Sequence, residues 1–315
     1  MSRIVVTGGG GFVGSHLCES LLARGDEVVA VDNFSTSRRE NVEHLLDVPG
    51  FELVVADVTA ELPVAGAVHG VLHLACPASP PEYLEMPLET LDVCSIGTRR
   101  ALDLARANGA RFLLASTSEV YGDPLVHPQV ESYHGNVDPI GPRAVYDEAK
   151  RFAETLTMTY HRLYDLPTRI VRIFNTYGPR LRPSDGRVVS NFLAQAINGK
   201  PLTVYGTGTQ TRSFCYVDDE VRGILALFDS DVVEPINIGN PVEFTMLELA
   251  ALVAKVTSST EELVFEPLPE GDPALRRPDI TRARELLQWE PEIELREGLE
   301  RMHAWYLEER TRGRA

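Results

Sequence analysis

Cysteine is scarce, with four residues in 315, at Cys18, Cys76, Cys94 and Cys215, and none in a CxxC pair. That spacing offers neither a zinc site nor a disulfide framework, so reduced, packed thiols are expected. Positive charge is also short. With 30 Lys and Arg against 46 Asp and Glu, the formal net charge is −16 and the sequence pI is about 5.0, which argues against a nucleic-acid partner. No apolar run approaches the ~20 residues that span a bilayer, and Ile4-Val5-Val6 is too short for the core of a secretory signal. The expectation is a cytoplasmic protein with no membrane partner. The eight histidines make no HxxxH or similar ligand spacing, so no metal site is expected.

What the chain has is alternation. Short β-branched runs, Ile4 to Thr7, Val28 to Asp32, Phe51 to Ala56, Val71 to Ala75, Phe112 to Ser116 and Thr168 to Ile173, are separated by amphipathic segments, clearest at Val13 to Ala23, Leu88 to Ala107 and Tyr146 to Leu163. This βαβ rhythm predicts an α/β fold of Rossmann type, a doubly wound parallel sheet covered by helices on both faces. After Asn175, Pro and Gly punctuate shorter elements. The division expected is a dinucleotide-binding domain over residues 1–175 and a smaller substrate-binding lobe over 176–315, some elements of which return to the first. Trp289 and Trp305 read as core anchors of that lobe.

The first strand runs directly into Gly8-Gly9-Gly10-Gly11-Phe12-Val13-Gly14. Glycine at 8, 11 and 14 lets the backbone turn tightly against a pyrophosphate, and the following helix start, with Phe12 and Val13, supplies unpaired N–H donors. Such a run alone is a weak signal. Here it sits between strand and helix, and Asp32 ends the second strand, the place for a carboxylate that accepts ribose hydroxyls and repels a 2′-phosphate. NAD is therefore expected rather than NADP, although Arg38 and Arg39 stand close enough to receive an extra phosphate. Asn33, Ser35, Thr36, Asp57, Val58, Leu74 and Cys76 are the further positions expected around this cofactor. Asp57 would equally serve as a simple turn cap.

Tyr146 and Lys150, four residues apart, fall on one face of a helix. A free tyrosine has a pKa of about 10, so roughly one in a thousand is ionised at pH 7; a neighbouring ammonium together with a positive nicotinamide would favour the phenolate. Chance surface pairs with this spacing are common. What raises this one is Ser116-Thr117-Ser118-Glu119 at the carboxyl end of the fifth strand, where open α/β sheets bind ligands. Thr117 offers a hydroxyl, and Glu119 a carboxylate that could act as a base, orient a water or disfavour a substrate carboxylate.

Gly8 to Gly14, Thr117, Tyr146, Lys150 and Arg172-Ile173-Phe174-Asn175-Thr176-Tyr177-Gly178-Pro179 resemble the extended short-chain dehydrogenase/reductases that act on nucleotide sugars. More narrowly, His73 to Pro81, Ser116 to Pro124, Asn136 to Lys150 and Asp185 to Phe192 are similar to the UDP-glucuronate decarboxylases, or UDP-xylose synthases, with the likeness running from about Arg3 to Trp305. Cys76 stands where that family is expected to carry serine. The resemblance implies NAD-dependent, redox-neutral decarboxylation of UDP- or dTDP-glucuronate. Tyr146 takes the C4 hydroxyl proton as hydride leaves, the 4-keto acid loses CO₂, and hydride returns to C4. It also implies that Pro77, Ser118, Asn175, Arg187, Val189, Tyr205, Gln210 and Arg212 meet the nucleotide sugar, that Thr176 lies near the nicotinamide, and that one of Arg276 and Arg277 faces the carboxylate or phosphate. A homodimer built on the Leu88 to Ala107 and Tyr146 to Leu163 helices is implied as well. A 4-epimerase would use the same Tyr, Lys and Thr. A 4,6-dehydratase would want an acid where Ser118 stands, and a non-catalytic NAD-binding protein would have no need of Tyr146 and Lys150.

Overall fold

A computed structural model describes residues 1–260, 262–268 and 275–313. Strands β1 (Arg3–Thr7), β2 (Glu27–Asp32), β3 (Phe51–Val55), β4 (Gly70–His73), β5 (Arg111–Thr117) and β6 (Thr168–Ile173) each end within two residues of the expected runs and pair in parallel. Both faces of this sheet are covered, and the strand sequences show why. Ile4 and Val6 of β1 enter one apolar layer with Leu17 and Leu21, whereas Val5 enters the opposite layer with Ala101, Leu102 and Ala153. Alternate side chains of an extended strand point to opposite faces, so a uniformly apolar strand needs helices on both sides. Helix α1 (Phe12–Ala23) supplies the first layer; α4 (Thr98–Asn108) and α5 (Ala144–Tyr164) supply the second.

The expected single helix from Leu88 to Ala107 is broken up. After α2 (Pro80–Glu85), the chain forms α3 (Pro87–Asp92), then a π-helical turn over Val93–Gly97, and only then α4. A π turn inserts an extra residue into the helix and re-aims the side chains after it, often beside a functional site.

Beyond β6 come β7 (Thr176–Tyr177), α6 (Val188–Ile197), β8 (Leu202–Tyr205), β9 (Thr211–Ser213), β10 (Cys215–Tyr216) and α7 (Val217–Asp229). The chain then returns to the sheet: β11 (Ile236–Ile238) pairs in parallel with β6, giving the order β11-β6-β5-β4-β1-β2-β3. The remainder is β12 (Glu243–Thr245), α8 (Met246–Thr257), β13 (Leu263–Glu266), β14 (Leu275–Arg276), α9 (Thr281–Leu287) and α10 (Leu295–Thr311). Phe192, Val253 and Met302 from these later elements share one apolar layer with Ile4 and Val6, so the lobe and the sheet are one continuous core. Trp289 is buried there and donates its indole N–H to the Asp219 carbonyl at 3.0 Å; Trp305 is partly buried. No helix among the described residues is long and apolar enough to cross a membrane.

The strand order reverses between β1 and β4, because β2 and β3 lie to one side of β1 and β4, β5 and β6 to the other. Connections leaving their carboxyl ends diverge, and a crevice opens at that point. The edge beside it is braced by one ion pair. Arg172 of β6 grips Glu154 of α5 through two bonds of 2.9 and 2.8 Å, Ser116 of β5 donates to the same carboxylate at 2.6 Å, and Arg172 also donates to the Tyr121 hydroxyl at 2.9 Å. The two charged side chains are only 11% and 13% exposed. Removing one partner of a buried pair leaves the other charge unpaired, which costs about 3–5 kcal/mol. Glu154→Ala is therefore expected to lower the urea midpoint by an amount corresponding to several kcal/mol; an unchanged midpoint would show that the brace contributes nothing.

Candidate active site

At the switch point the crevice is walled by Gly8, Gly11, Asp32, Asp57, Leu74 and Cys76, with Asn33, Ser35, Thr36, Val58 and Pro77 completing its sides. Two of the glycines have steric reasons to be there. Gly8 has φ +72°, and a Cβ on it would lie 2.7 Å from the Ala75 amide nitrogen; a Cβ on Gly14 would lie 2.1 Å from the Gly8 carbonyl oxygen. Gly11 caps α1 without any side-chain hydrogen bond, which leaves the first-turn amides, Phe12 and Val13 among them, without a capping acceptor. That is the donor set a pyrophosphate needs.

Asp32 is buried and oriented by its own loop: one carboxylate oxygen accepts from the Gly10 N–H at 2.8 Å, the other from the Phe34 N–H at 2.8 Å and the Ser37 hydroxyl at 2.7 Å. A carboxylate has about four acceptor sites, so capacity remains for a ribose hydroxyl. Asp57 combines both roles considered for it. It caps Thr59 through the N–H (2.8 Å) and hydroxyl (2.6 Å) and accepts from Asn33 at 3.0 Å in the crevice wall; the Thr59 hydroxyl holds its pKa below the usual range. Cradle, donors and acidic residue together fit an adenine dinucleotide.

The candidate catalytic side chains lie on α5 and at the carboxyl end of β5. Tyr146 and Lys150 are both buried, and the Lys150 ammonium donates to the Ala115 carbonyl at 3.0 Å and sits 5.8 Å from the centre of the Tyr146 ring. The Thr117 side chain lies near enough to the phenol to lower its pKa slightly. Tyr83 of α2 stacks on the Tyr146 ring, centres 4.9 Å apart and planes 8° apart, which fixes the ring's orientation. Burial raises the Tyr146 pKa and Lys150 lowers it; burial is the larger effect, so the amine alone does not yield a phenolate. Burial likewise pulls Lys150 down, but its anionic neighbours, Cys76 first, more than offset this and keep it protonated.

Glu119 lies in a knot of charge. Arg143 pairs with it at 2.7 Å and Arg276 at 3.0 Å, and Arg276 also donates to the Ser118 carbonyl at 2.6 Å. Burial would raise the Glu119 pKa, but Arg276 and then Arg143 outweigh it, and the carboxylate stays ionised. Asp147 beside it is pushed up to about 7 by burial and by the Glu119 charge. Register explains the arginines: β14 lies parallel to β9 with Arg276 opposite Arg212, whose charge also reaches Glu119.

Of the two adjacent arginines, Arg276 is the one that meets Glu119 and the Ser118 carbonyl. Arg277 turns the other way, toward Glu243 at 3.5 Å, with its backbone N–H on Gln129 at 2.8 Å. Arg187 is gripped by Asp185, one of the bonds at 2.8 Å, and its field reaches Tyr146. Val189 is buried in α6. Asn175 forms no Asx turn; its amide donates to the Ser213 carbonyl at 3.4 Å. The Thr176 hydroxyl is engaged by the Phe174 carbonyl at 2.8 Å and Glu220 at 3.1 Å. Gln210 donates to the Tyr205 carbonyl at 2.8 Å, so these two form a separate cluster in the second lobe. Arg143, Asp147 and Tyr83 escaped the sequence reading; the first two flank Tyr146 in a segment whose burial no pattern of spacing discloses. Among the described residues no cluster of three or more His, Cys, Asp or Glu is placed to hold a metal ion.

The chain as a whole is similar to known proteins. A family model described as the NAD dependent epimerase/dehydratase family matches residues 4–239. UDP-glucuronic acid decarboxylase 1 of Arabidopsis thaliana is 58% identical over 300 residues, which is 95% of this chain and 68% of that protein. UDP-glucuronic acid decarboxylase 1 of Danio rerio is 51% identical over 307 residues, covering 98% of this chain and 73% of its own length. Among solved structures, UDP-glucuronic acid 4-epimerase from Bacillus cereus with UDP-glucuronic acid and NAD superposes with a TM-score of 0.86 at 29% identity, over 97% of this chain and 99% of that one. UDP-glucose 4-epimerase from Thermotoga maritima with UDP-glucose gives a TM-score of 0.88 at 30% identity over the same shares. The chain therefore belongs to the NAD dependent epimerase/dehydratase family, with NAD as its cofactor and with relatives at more than half identity that are UDP-glucuronic acid decarboxylases.

Proposed function

We propose that the protein converts UDP-glucuronic acid to UDP-xylose and CO₂ through a 4-keto intermediate, a carboxy-lyase reaction with no net redox change. The observation that carries this reading is the meeting of Tyr146, Lys150 and Thr117 with the Glu119–Arg276 pair at the crevice of a chain 58% identical to a protein of that activity. The 4-epimerase reading is less well supported, since the epimerase structures share the fold at 29–30% identity.

Residues 1–175 would hold the cofactor and residues 176–315 most of the nucleotide sugar. NAD, when bound, supplies a hydride acceptor at C4, returns the same hydride, and in its oxidised form places a positive ring in the site. Tyr146 takes the proton of the C4 hydroxyl while Thr117 holds that oxygen. Once C4 is a ketone, the carboxyl group is β to a carbonyl, and loss of CO₂ leaves an enolate. Tyr146, now a phenol, and Thr117 donate to the enolate oxygen, where negative charge develops. Arg276 is already paired with Glu119, so it can orient the uronic carboxylate without the full ion pair that would stabilise it against CO₂ loss. Glu119, ionised, orients the water that protonates C5. Arg187, Arg212, Tyr205 and Gln210 are the groups proposed for the nucleotide diphosphate, and Arg suits that role through paired, charge-assisted bonds.

A homodimer is part of the proposal. Leu84, Leu88, Leu91, Ile96 and Phe152, on α2, α3, the π turn and α5, are all more than 40% exposed, an apolar face of the kind a second copy covers. The reading also includes a reducing cytoplasmic setting.

Incubation with UDP-glucuronate and NAD⁺ is expected to release CO₂ and a UDP-pentose, with little turnover in Tyr146→Phe, down by about a hundredfold or more on the scale of acid–base groups, while NAD binding persists. Recovery of only the C4 epimer would replace the decarboxylase reading with the epimerase one, and near-normal turnover of Tyr146→Phe would remove that residue from the chemistry. For the dimer, Phe152→Glu is expected to halve the molar mass seen by light scattering; an unchanged mass would place any interface elsewhere.

A further inference from the structure

Cys76 and Cys94, eighteen residues apart in sequence, meet in the wall of the catalytic crevice with their sulfurs 3.4 Å apart. Two features of the fold bring them together. Cys76 lies on the short loop that leaves β4 at the switch point, and Cys94 lies in the π-helical turn Val93–Gly97, where the widened helix turns its side chain toward that loop. We propose that Cys76 and Cys94 are a modification site, a thiol pair that hydroperoxides convert reversibly into a disulfide and that thereby controls turnover.

The two sulfurs are not equivalent. Cys76 is partly exposed and lines the crevice, so a small oxidant reaches it; Cys94 is only 2% exposed, behind Cys76. The Lys150 ammonium, held on the Ala115 carbonyl, lies close enough to Cys76 for its charge to favour the thiolate. The hydrogen bond from Cys94 and the Lys150 charge outweigh burial and bring the Cys76 thiol down to about 7, so a substantial thiolate fraction is present near neutral pH. Cys18 and Cys215 are fully buried, and burial raises both thiols. The chain thus has one activated, accessible sulfur with a second beside it, and two inert ones.

The chemistry balances with a hydroperoxide as oxidant. The Cys76 thiolate attacks a peroxide oxygen, the O–O bond breaks, and Cys76 becomes a sulfenic acid while the leaving oxygen takes the thiol proton and departs as water or alcohol. The Cys94 sulfur then attacks the Cys76 sulfur, the S–O bond breaks, and hydroxide leaves with the Cys94 proton as water. Two thiols lose two electrons and the peroxide gains them; a thiol reductant reverses the result by exchange. A disulfide needs its sulfurs at about 2.05 Å, so the Cys76 loop must close on the π turn. That movement takes the sulfur from Lys150, which Tyr146 depends on, and displaces the crevice wall at Cys76 and Pro77. The effect on turnover rests on the function proposed above; formation of the bond does not.

The test is peptide mapping after the reduced holoenzyme meets hydrogen peroxide and is quenched with an alkylating reagent, with CO₂ release followed in parallel. A Cys76–Cys94 cross-link is expected, with loss of most of the turnover and its recovery on adding dithiothreitol. Cys94→Ala is expected to form no cross-link and, with Lys150 still beside Cys76, to leave a Cys76 sulfenic acid that dimedone traps, its turnover compared before and after peroxide within that variant. Recovery of Cys94 fully alkylated, with Cys76 free or over-oxidised, would overturn the proposal, as would a cross-linked protein with undiminished turnover. Absence of CO₂ release before any peroxide is added would instead count against the assigned reaction, and the cross-link would still be read from the peptides.

Discussion

A phenol and an ammonium buried side by side are the constraint on which the rest of this structure turns. Tyr146 must be surrounded by protein to be held against a sugar hydroxyl, yet the same burial raises the pKa it needs to lower. Lys150 opposes that effect without overcoming it, and on the proposed reading the positive ring of oxidised NAD, when bound, would add the charge that favours the phenolate. In the free protein burial keeps the phenol protonated, and under the proposed mechanism proton removal would be favoured only where a hydride acceptor is bound.

Holding two such groups together requires rigidity, and the fold provides it through layers. Lys150 is anchored on the Ala115 carbonyl of β5, the Tyr146 ring is stacked by Tyr83, and α5 is tied to β5 and β6 through Glu154, Ser116 and Arg172. Each tie joins a helix side chain to a different element, so the geometry of the site does not depend on one loop. The acidic chain, at net charge −16, still gathers Arg143, Arg212 and Arg276 around Glu119, because the register of β14 on β9 sets Arg276 opposite Arg212 and the start of α5 brings in Arg143.

Much of this was legible in the sequence. The strands were visible because a β-branched run that is apolar at every position has to be buried on both faces, and the cofactor crevice because Gly8 to Gly14 and Asp32 stand at fixed offsets from strand ends. The Tyr146–Lys150 spacing is a helical one and survives as such. What the sequence hid depends on distant contacts. Arg276 and Arg277 are indistinguishable as letters; only pairing of β14 with β9 turns the first inward. The π turn at Val93–Gly97 interrupts a stretch whose apolar spacing reads as one helix, and with it went the nearness of Cys94 to Cys76. Asp147 reads as a helix-surface acid, and only the fold buries it beside Glu119.

In the proposed mechanism Tyr146 is made acidic jointly by Lys150 and bound NAD⁺. Ultraviolet difference titration of the phenolate, with Tyr146→Phe as the reference, tests it most directly. The phenol is expected to ionise below the free value of about 10 in the NAD⁺ complex, above it without cofactor, and at a higher pH once Lys150→Met removes the amine. A phenol that titrates at the same pH in all three would contradict it.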